Sequence, residues 1–259
     1  MATKSLIDES VSACPALEVP SARLFGLSLC TFDMQEVVSH VDRVLLAGGS
    51  RVLFTANVDH VVRYSRDPEF RHSYKAADMV FADGMPLMWA AKLLGTQVRA
   101  RVTGVDLMES LCILAAGRNY RCFFLGASEA TLDRACHAAR KRFPGIQIAG
   151  WHHGYFDDSA PVLELIRQTH PHLLFIGMGS PRQEKWIAEH RHHLPGVALP
   201  VGGSFEIFAG EKKRAPQLMQ RIGLEWIWRL GQDPRRLWKR YLWDDLAFLK
   251  LFLRELHTR

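Results

Sequence analysis

Short runs of consecutive apolar residues recur along the middle of the chain, each bounded by glycine, proline or polar residues. The runs at 122–125 and 173–176 are continuous, whereas a strand with one solvated face would alternate between apolar and polar residues. Continuous runs are typical of strands covered on both faces, as in a parallel sheet. They predict strands over 51–55, 78–82, 121–126, 146–150, 173–178 and 197–201.

Stretches of helical length lie between these runs. They predict helices near 57–66, 86–94, 105–117, 129–142, 160–169 and 181–191. Strands that alternate with helices of this length indicate an α/β fold with a doubly wound, mostly parallel sheet. We expect a flexible N-terminal arm over 1–23, one α/β domain over 24–209 and a C-terminal helical appendage over 210–259.

The appendage, residues 210–259, has a different pattern. A short helix is predicted over 225–230, and Pro234 is placed to begin a longer helix that runs to about residue 256. Apolar residues recur along it at helical spacing, and basic residues cluster in its first turns: Arg235, Arg236, Lys239 and Arg240. The pattern fits a helix packed on the domain with its charges exposed. It fits equally a helix in a membrane interface with its basic residues facing anionic lipid.

Charge is distributed unevenly between the appendage and the rest of the chain. The appendage contains 12 Lys and Arg against 6 Asp and Glu, a net charge of +6, whereas the 21 basic and 21 acidic residues of 1–209 cancel. Four of the seven tryptophans also lie in the appendage: Trp226, Trp228, Trp238 and Trp243. A neutral body with a basic, tryptophan-rich appendage indicates a polyanionic surface as partner.

Composition and motif spacing argue against several classes of protein. The five cysteines show no C-x-x-C spacing, so we expect reduced, buried thiols in a cytosolic protein, with no zinc site or disulfide framework. The first ten residues contain an acidic pair and no long apolar run, so we expect no signal peptide there. No stretch reaches the roughly 18 apolar residues that span a bilayer. The chain lacks H-E-x-x-H, D-x-D and G-x-S-x-G, so we expect no metal clamp and no hydrolase triad.

Polar residues follow two of the predicted strands at their carboxyl ends, where open α/β sheets bind ligands. Asp83 and Gly84 directly follow the strand over 78–82. An Asp before Gly is usually a turn residue, but after a buried strand its carboxylate is a candidate general base. Thr55 and Asn57, at the end of the preceding strand, are able to cap the next helix or to hydrogen-bond a sugar or phosphate.

The segment 177–186, GMGSPRQEKW, joins a strand to a helix through a glycine-containing turn. Ser180 is expected to cap the helix and Pro181 to occupy its first position, so that backbone N–H groups face an anion. Two basic residues and an amide lie in the first turns: Arg182, Gln183 and Lys185. With Gly179 in the turn, the segment is a candidate diphosphate or sugar site. It does not match G-x-G-x-x-G or the Walker A loop.

Two further loops have related patterns. The segment 201–206, VGGSFE, again joins a strand to a helix, and Gly202 and Gly203 would let a nucleotide approach the backbone closely. In the loop 101–106, RVTGVD, a helix start capped by Thr or Gly, with Asp106 favoured by the helix dipole, is a more frequent explanation than direct catalysis.

These motifs occur together and in order in one known family. The segments are TANVDHVVRYSRDPEF, ADMVFADGMPLMWAAKLLG, RVTGVDL, FFLGAS, HHGYF, GMGSPRQEKW, VGGSFEIFAGEKKRAP and LEWIWRLGQDPRRLWKRYL. With them the chain resembles the WecG/TagA/CpsF glycosyltransferases, glycosyltransferase family 26, over about residues 24–243. The N-terminal arm and the last residues, from 244 on, lie outside this resemblance.

The resemblance implies an inverting, metal-independent glycosyltransferase with a Rossmann-like catalytic domain. It implies transfer of a sugar from a UDP-sugar to a sugar on polyprenyl diphosphate, in bacterial surface or exopolysaccharide synthesis. The implied base is Asp83, and diphosphate contacts are implied for arginines among Arg214, Arg221, Arg229, Arg235 and Arg236. Together with the motifs above, the predicted substrate-binding residues are Thr55, Asn57, Gly84, Arg101, Gly179, Gln183, Lys185, Gly202, Gly203, Glu206, Arg214 and Arg221.

Two positions depart from the family pattern. Ala82 stands where many members have Pro, which changes the stiffness of the loop. Glu206 stands where many members have Asp, so its carboxylate reaches one methylene further. Neither departure removes Asp83, the implied base.

The implied partners are a UDP-sugar donor, a polyprenyl-diphosphate-linked sugar acceptor and an anionic membrane surface, with no cofactor, no metal and no nucleic acid. The implied location is cytoplasmic, peripheral on the inner membrane. The donor sugar (N-acetylmannosamine, its uronic acid or glucose) and assembly into a homo-oligomer stay open. One alternative is a non-enzymatic basic protein whose appendage binds nucleic acid. Another is a Rossmann-type nucleotide-dependent enzyme of another class, which the missing G-x-G-x-x-G disfavours.

Overall fold

The structure is a computed structural model of the chain. It describes residues 19–221 and 223–258, apart from the side chains of Arg221, Arg229 and residues 235–242. Most of the predicted arm, residues 1–18, therefore lies outside the described residues. So do the side chains of the predicted basic cluster at 235–240 and of Arg221, one of the predicted substrate-binding residues.

A hairpin and a helix that the apolar pattern does not predict precede the main sheet. Strand β1 (Ser21–Leu24), which includes the end of the predicted arm, pairs antiparallel with β2 (Leu27–Cys30). Helix α1 (Met34–Leu46) begins at a capping box. In this box the carboxylate of Asp33 accepts from the amide of Glu36, and the carboxylate of Glu36 accepts from the amide of Asp33.

Six parallel strands form the central sheet, which confirms the predicted fold class. They are β3 (Arg51–Ala56), β4 (Met79–Ala82), β5 (Arg121–Gly126), β6 (Gln147–His152), β7 (Leu173–Gly177) and β8 (Val197–Pro200). Their order is β4-β3-β8-β7-β5-β6. The chain runs outward from β3 to β4, crosses to β5 and β6, and returns through β7 to β8. The sheet is therefore doubly wound and Rossmann-like.

Helices cover both faces of the sheet. They are α2 (Val58–Arg66), α3 (Pro68–Ser73), α4 (Met85–Leu93), α5 (Gly104–Arg118), α6 (Glu129–Arg142), α7 (Ala160–Thr169), α8 (Arg182–His190) and α9 (Ser204–Phe208). One core joins the sheet to α1, α5, α6 and α9, and the other joins it to α2, α3, α4, α7, α8 and the hairpin. Because strand side chains alternate, Leu53 and Phe124 enter the first core while Phe54 and Phe123 enter the second. Burial on both faces explains why five of the strands are nearly continuously apolar, whereas β6, at the edge of the sheet, is partly exposed.

The described part of the appendage contains α10 (Gln217–Arg221), α11 (Glu225–Gln232) and α12 (Pro234–His257), so both predicted appendage helices are confirmed. The second half of α12 packs on α2, and the ring of Phe248 lies 5.2 Å from that of Phe25. Leu251 and Phe252 pack against the second core. Five larger apolar residues from position 243 onward are exposed: Trp243, Leu246, Leu249, Leu253 and Leu256. The helix thus has one face on the α/β domain and a second apolar face in solvent.

Candidate active site

Strands β3 and β8 are neighbours in the sheet, but the helices that follow them lie on opposite faces. Helix α2 follows β3 on one face, and α9 follows β8 on the other. This divergence opens a crevice at the carboxyl ends of the two strands, which is where doubly wound sheets bind ligands. The loops that carry Asn57 and the Gly202–Gly203 pair border this crevice.

Thr55 and Asn57 serve different purposes at the end of β3. Asn57 is the N-cap of α2, since its Oδ1 accepts from the amide of His60 at 3.1 Å, which confirms the capping interpretation. Thr55 lies within the strand and is buried. A Cβ atom built on Gly104 would lie 3.4 Å from the Thr55 hydroxyl, so the first residue of α5 passes close to this strand end.

Asp83 lies directly beyond β4, and its amide donates to the carbonyl of Ala56 in the neighbouring strand at 2.7 Å. Its carboxylate oxygen Oδ2 lies 3.5 Å from the amide nitrogen of Gly104, which donates to it. Gly84, with φ at +105°, turns the chain directly into α4, a conformation that glycine adopts readily. The structure therefore brings Asp83, Thr55 and the N-terminus of α5 together.

The N-terminus of α5 also binds a basic residue of the appendage. Thr103 caps the helix by accepting from the amide of Asp106 at 3.1 Å, as predicted, and its hydroxyl donates to Asp106 Oδ2 at 2.7 Å. The other oxygen of Asp106 lies 2.6 Å from a guanidinium nitrogen of Arg214. Burial opposes ionisation of Asp106, but the hydrogen bonds from Arg214 and Thr103 outweigh it and lower the pKa of Asp106.

Two further contacts hold the appendage on the α/β domain. A guanidinium nitrogen of Arg101 lies 3.6 Å from the carboxylate of Glu225 in α11. Gly223, with φ at +79°, is so close to α4 that a Cβ there would stand 2.8 Å from Met85 and from the Trp89 ring. Because α4 directly follows Asp83 and Gly84, these contacts place the appendage beside the loop that carries the predicted base.

The loop after β8 is held by a side chain from α8. Gly202, with φ at +51°, donates its amide to Oε1 of Gln183 at 3.1 Å. A Cβ on Gly177, at the end of β7, would lie 2.8 Å from the carbonyl oxygen of Gly202. The close approach of this turn to β7 therefore requires glycine at position 177. In the helix that follows, Glu206 Oε1 lies 3.3 Å from the ammonium of Lys212. Glu206 Oε2 is buried and, within the described residues, has no hydrogen-bond partner.

Several predicted residues lie apart from these contacts. The ammonium of Lys185 pairs with Asp67 and Glu69 around the start of α3, and Arg182 donates to the carbonyl of Phe156. The predicted start of α8 is wrong by one residue. Pro181 is the N-cap rather than the first helical residue, and the Ser180 side chain makes no cap hydrogen bond. Gly179, with φ at +79°, forms the turn and accepts from the amide of Gln183.

Three general features of the described ranges bear on the site. No three His, Cys, Asp or Glu side chains there are grouped so that they could hold a metal ion. None of the described helices is long and apolar enough to cross a membrane. Four cysteine thiols are free and buried (Cys30, Cys112, Cys122 and Cys136), and Cys14 lies outside the described residues. Burial raises the pKa of Cys122 to about 12.

Comparison with known proteins decides the family. The family model described as "Glycosyl transferase WecG/TagA/CpsF family" matches residues 22–259. This chain belongs to the WecG/TagA/CpsF glycosyltransferase family. The match confirms the resemblance seen in the motifs, and it includes the residues from 244 on, so their exclusion was wrong.

Curated relatives are similar over most of their length. A protein of Bacillus spizizenii is 34% identical over 212 residues, which cover 81% of this chain and 82% of the relative. A protein of Staphylococcus aureus strain MW2 is 32% identical over 218 residues, covering 83% and 85%. Both relatives are named N-acetylglucosaminyldiphosphoundecaprenol N-acetyl-beta-D-mannosaminyltransferase.

Family membership makes the chain a glycosyltransferase and decides against a non-enzymatic binding protein. Two site contacts are not foreseen in the sequence: the pairing of Asp106 with Arg214 and that of Arg101 with Glu225. The net charge of the appendage is the one signal that pointed toward them. It indicated a polyanionic partner, but charge composition does not say which arginine faces which carboxylate.

Proposed function

We propose that this glycosyltransferase moves a sugar from a UDP-sugar to a sugar carried on polyprenyl diphosphate, with inversion at the anomeric carbon and without a metal ion. The relatives' names suggest N-acetylglucosaminyldiphosphoundecaprenol as the acceptor class and N-acetylmannosamine as the first donor sugar to test. One observation carries the proposal: the first turn of α5 contacts both the Asp83 carboxylate, through Gly104, and Arg214, through Asp106.

Asp83 would act as the general base. A hydroxyl of the acceptor sugar gives its proton to the Asp83 carboxylate, and its oxygen forms a bond to the anomeric carbon of the donor. The bond from that carbon to the diphosphate oxygen breaks on the opposite face, and UDP leaves with the electron pair. General-base assistance of this kind is worth roughly 10²–10⁴ in rate.

The leaving diphosphate requires positive charge, which the protein itself would supply. The amide of Gly104 lies at the positive end of α5, and Arg101 and Arg214 stand on the loop before α5 and on the appendage. Arg214 retains an unused donor, because its buried Nε has no partner in the described part of the chain. The metal-free mechanism is thus supported by protein cations and by the absence of a D-x-D motif from the sequence.

The appendage would bring the active site to an anionic membrane surface. Its net charge is +6, and the exposed face of α12 carries Trp243 and Leu246, with Leu249, Leu253 and Leu256 further along the helix. An amphipathic helix with aromatic, leucine and basic residues lies in the interfacial plane of anionic bilayers. A substrate with a polyprenyl chain resides in that plane, so membrane binding and access to the acceptor would coincide.

A transfer assay tests this function. The full chain is incubated with a synthetic lipid-diphosphate N-acetylglucosamine acceptor and with UDP-N-acetylmannosamine, the uronic acid analogue or UDP-glucose, each in the presence of EDTA. We expect a disaccharide product by mass spectrometry, and NMR should show an anomeric configuration opposite to that of the donor. No product with any donor, retention of configuration, or activity that EDTA abolishes and Mg²⁺ restores would contradict the corresponding part of the proposal.

A further inference from the structure

A chain of buried polar side chains runs from the second core to the turn after β8. The Tyr74 hydroxyl lies 2.7 Å from His60 Nδ1, and Nε2 of that ring lies 3.9 Å from Oε1 of Glu184. The same Glu184 oxygen accepts from Gln183 Nε2 at 2.7 Å, and Gln183 Oε1 accepts from the Gly202 amide at 3.1 Å. All four side chains are buried. This series of side-chain contacts therefore links the core to a turn at the active-site crevice.

Glu184 is the acidic residue in this series of contacts. Its side chain has no exposed surface, and its second oxygen, Oε2, has no hydrogen-bond partner among the described residues. Taking a carboxylate out of water costs free energy that one long contact with His60 Nε2, at 3.9 Å, does not return. A neutral side chain of the same size would serve folding alone better. We therefore expect the carboxylate to fix the orientation of a neighbouring polar group.

What Glu184 imposes is the orientation of the Gln183 amide. An ionised carboxylate only accepts hydrogen bonds, so the Gln183 amide must face it with the NH₂ group. The carbonyl oxygen then points the other way, to the N–H of Gly202. The two ends of an amide have nearly the same shape. Without the carboxylate, only the Gly202 N–H favours this orientation, so the amide is held less firmly and its oxygen is a less constant acceptor for Gly202.

His60 supports this arrangement from the other side. When the Tyr74 hydroxyl donates to Nδ1, the neutral His60 ring carries its proton on Nε2, which is the nitrogen that faces Glu184. His60 is itself placed by the first turn of α2, whose N-cap Asn57 borders the crevice. Both walls of the crevice are thus connected through Glu184.

We infer that Glu184 is a positioning residue, which holds the Gln183 amide in one orientation and thereby sets the Gly202–Gly203 turn that receives the donor nucleotide. This inference rests on the proposed function, because it takes the turn after β8 to be part of the donor site. Gln183 then acts mainly through the backbone of Gly202 and not through direct contact with the substrate.

The first test compares two substitutions on the same helix. Glu184→Gln keeps the size of the side chain and removes the charge, whereas Glu189→Gln changes an exposed residue of α8. We expect Glu184→Gln to raise the Kd for UDP and the KM for the donor about five- to tenfold, with kcat nearly unchanged. Hydrogen exchange at the Gly202 amide of the ligand-free protein should become faster. Glu189→Gln should change none of these quantities.

The second test exchanges the two residues. Gln183→Glu alone places two carboxylates side by side and should weaken UDP binding. Gln183→Glu combined with Glu184→Gln should restore most of it. The carboxylate introduced at position 183 accepts both from Gly202 and from the amide introduced at position 184. A purely structural role would not predict this recovery.

The outcomes separate the inference from the proposed function. The positioning role is wrong if Glu184→Gln leaves both the hydrogen-exchange rate of the Gly202 amide and the Kd for UDP at wild-type values. It is also wrong if the double variant, with Gln183→Glu and Glu184→Gln, recovers no UDP binding. If the wild-type chain binds no UDP and transfers no sugar, the proposed function fails. In that case the Gly202 exchange rate still decides whether Glu184 sets the turn.

Discussion

The guanidinium of Arg214 and the carboxylate of Asp106 lie 2.6 Å apart and join the appendage to the first turn of α5. Asp106 is held by Thr103, the N-cap of the same helix, and the preceding Gly104 contacts the Asp83 carboxylate. The contact thus places an appendage cation two residues along the helix from the amide that meets the predicted base. A cation of the appendage and the predicted base of the α/β domain thus both contact this turn.

Arg214→Ala should lower kcat/KM about 10²-fold, since a charged donor aimed at a leaving diphosphate contributes this much in comparable sites. Asp106→Asn should lower it less, because the side chain keeps its size and its bond to Thr103 but positions Arg214 less firmly. Lys213→Ala, at an exposed neighbouring position, is the matched control. Steady-state kinetics with varied acceptor measure the effect. Equal activity of the Arg214 and Lys213 variants would exclude Arg214 from the site.

Asp83→Asn should preserve folding and UDP binding but lose most of the transfer activity, about 10²–10⁴-fold, because it removes only the basic oxygen. Isothermal titration with UDP and turnover at saturating donor separate the two effects. Asp78→Asn is unsuitable as a control, because that carboxylate accepts from the Val52 amide and pairs with Arg191. Asp133→Asn, on the exposed face of α6, serves instead. Near wild-type turnover of the Asp83 variant would assign the base elsewhere.

Gly223→Ala should displace the appendage from α4. A Cβ there would stand 2.8 Å from Met85 and Trp89, and φ at +79° is unfavourable for alanine. We expect lower activity and higher Trp89 exposure, with the central sheet intact. Gly231→Ala is the control, because a Cβ there meets nothing within 4 Å and alanine favours the helix. Limited proteolysis and circular dichroism measure the two variants, and identical digestion patterns would contradict the close contact.

Membrane binding should depend on the exposed face of α12. Substituting Leu246, Leu249, Leu253 and Leu256 by Gln should weaken flotation with anionic vesicles. Charge reversal at 235–240 and added salt should do the same, since each Lys or Arg near an anionic leaflet contributes about 1 kcal/mol. Leu46→Gln, an exposed leucine on α1, is the control. If the α12 variant floats like the wild type, this face does not contact lipid.

Deletion of the whole appendage is a poor test of the same point. Phe248, Leu251 and Phe252 pack on the second core, and Ala247 is buried beside them. Removing residues from 210 onward would expose this core, so loss of binding would be confounded by loss of folding.

The sequence by itself determined the layers of the fold and the positions of the site loops. A strand buried on both faces is mostly apolar, so five of the six strands can be recognised as nearly continuous apolar runs, whereas the edge strand β6 is partly exposed. Helix starts are local as well, because a capping side chain accepts a hydrogen bond from an amide only three residues further along the chain. Asn57 and Thr103 are therefore recognised from a few residues. The apolar pattern did not predict the hairpin of β1 and β2, because its strands are short and mixed in polarity.

Only the tertiary structure decided which distant groups meet. Lys185 and Arg214 are both basic residues of predicted site segments, yet the first pairs with carboxylates around α3 and the second with Asp106. Likewise, the Gln183 amide lies against the Gly202 turn because α8 and the loop after β8 are adjacent in space. Ion pairs and close contacts between remote segments depend on how the layers stack. The spacing of residues along the sequence does not determine how far apart two remote segments lie in the folded protein.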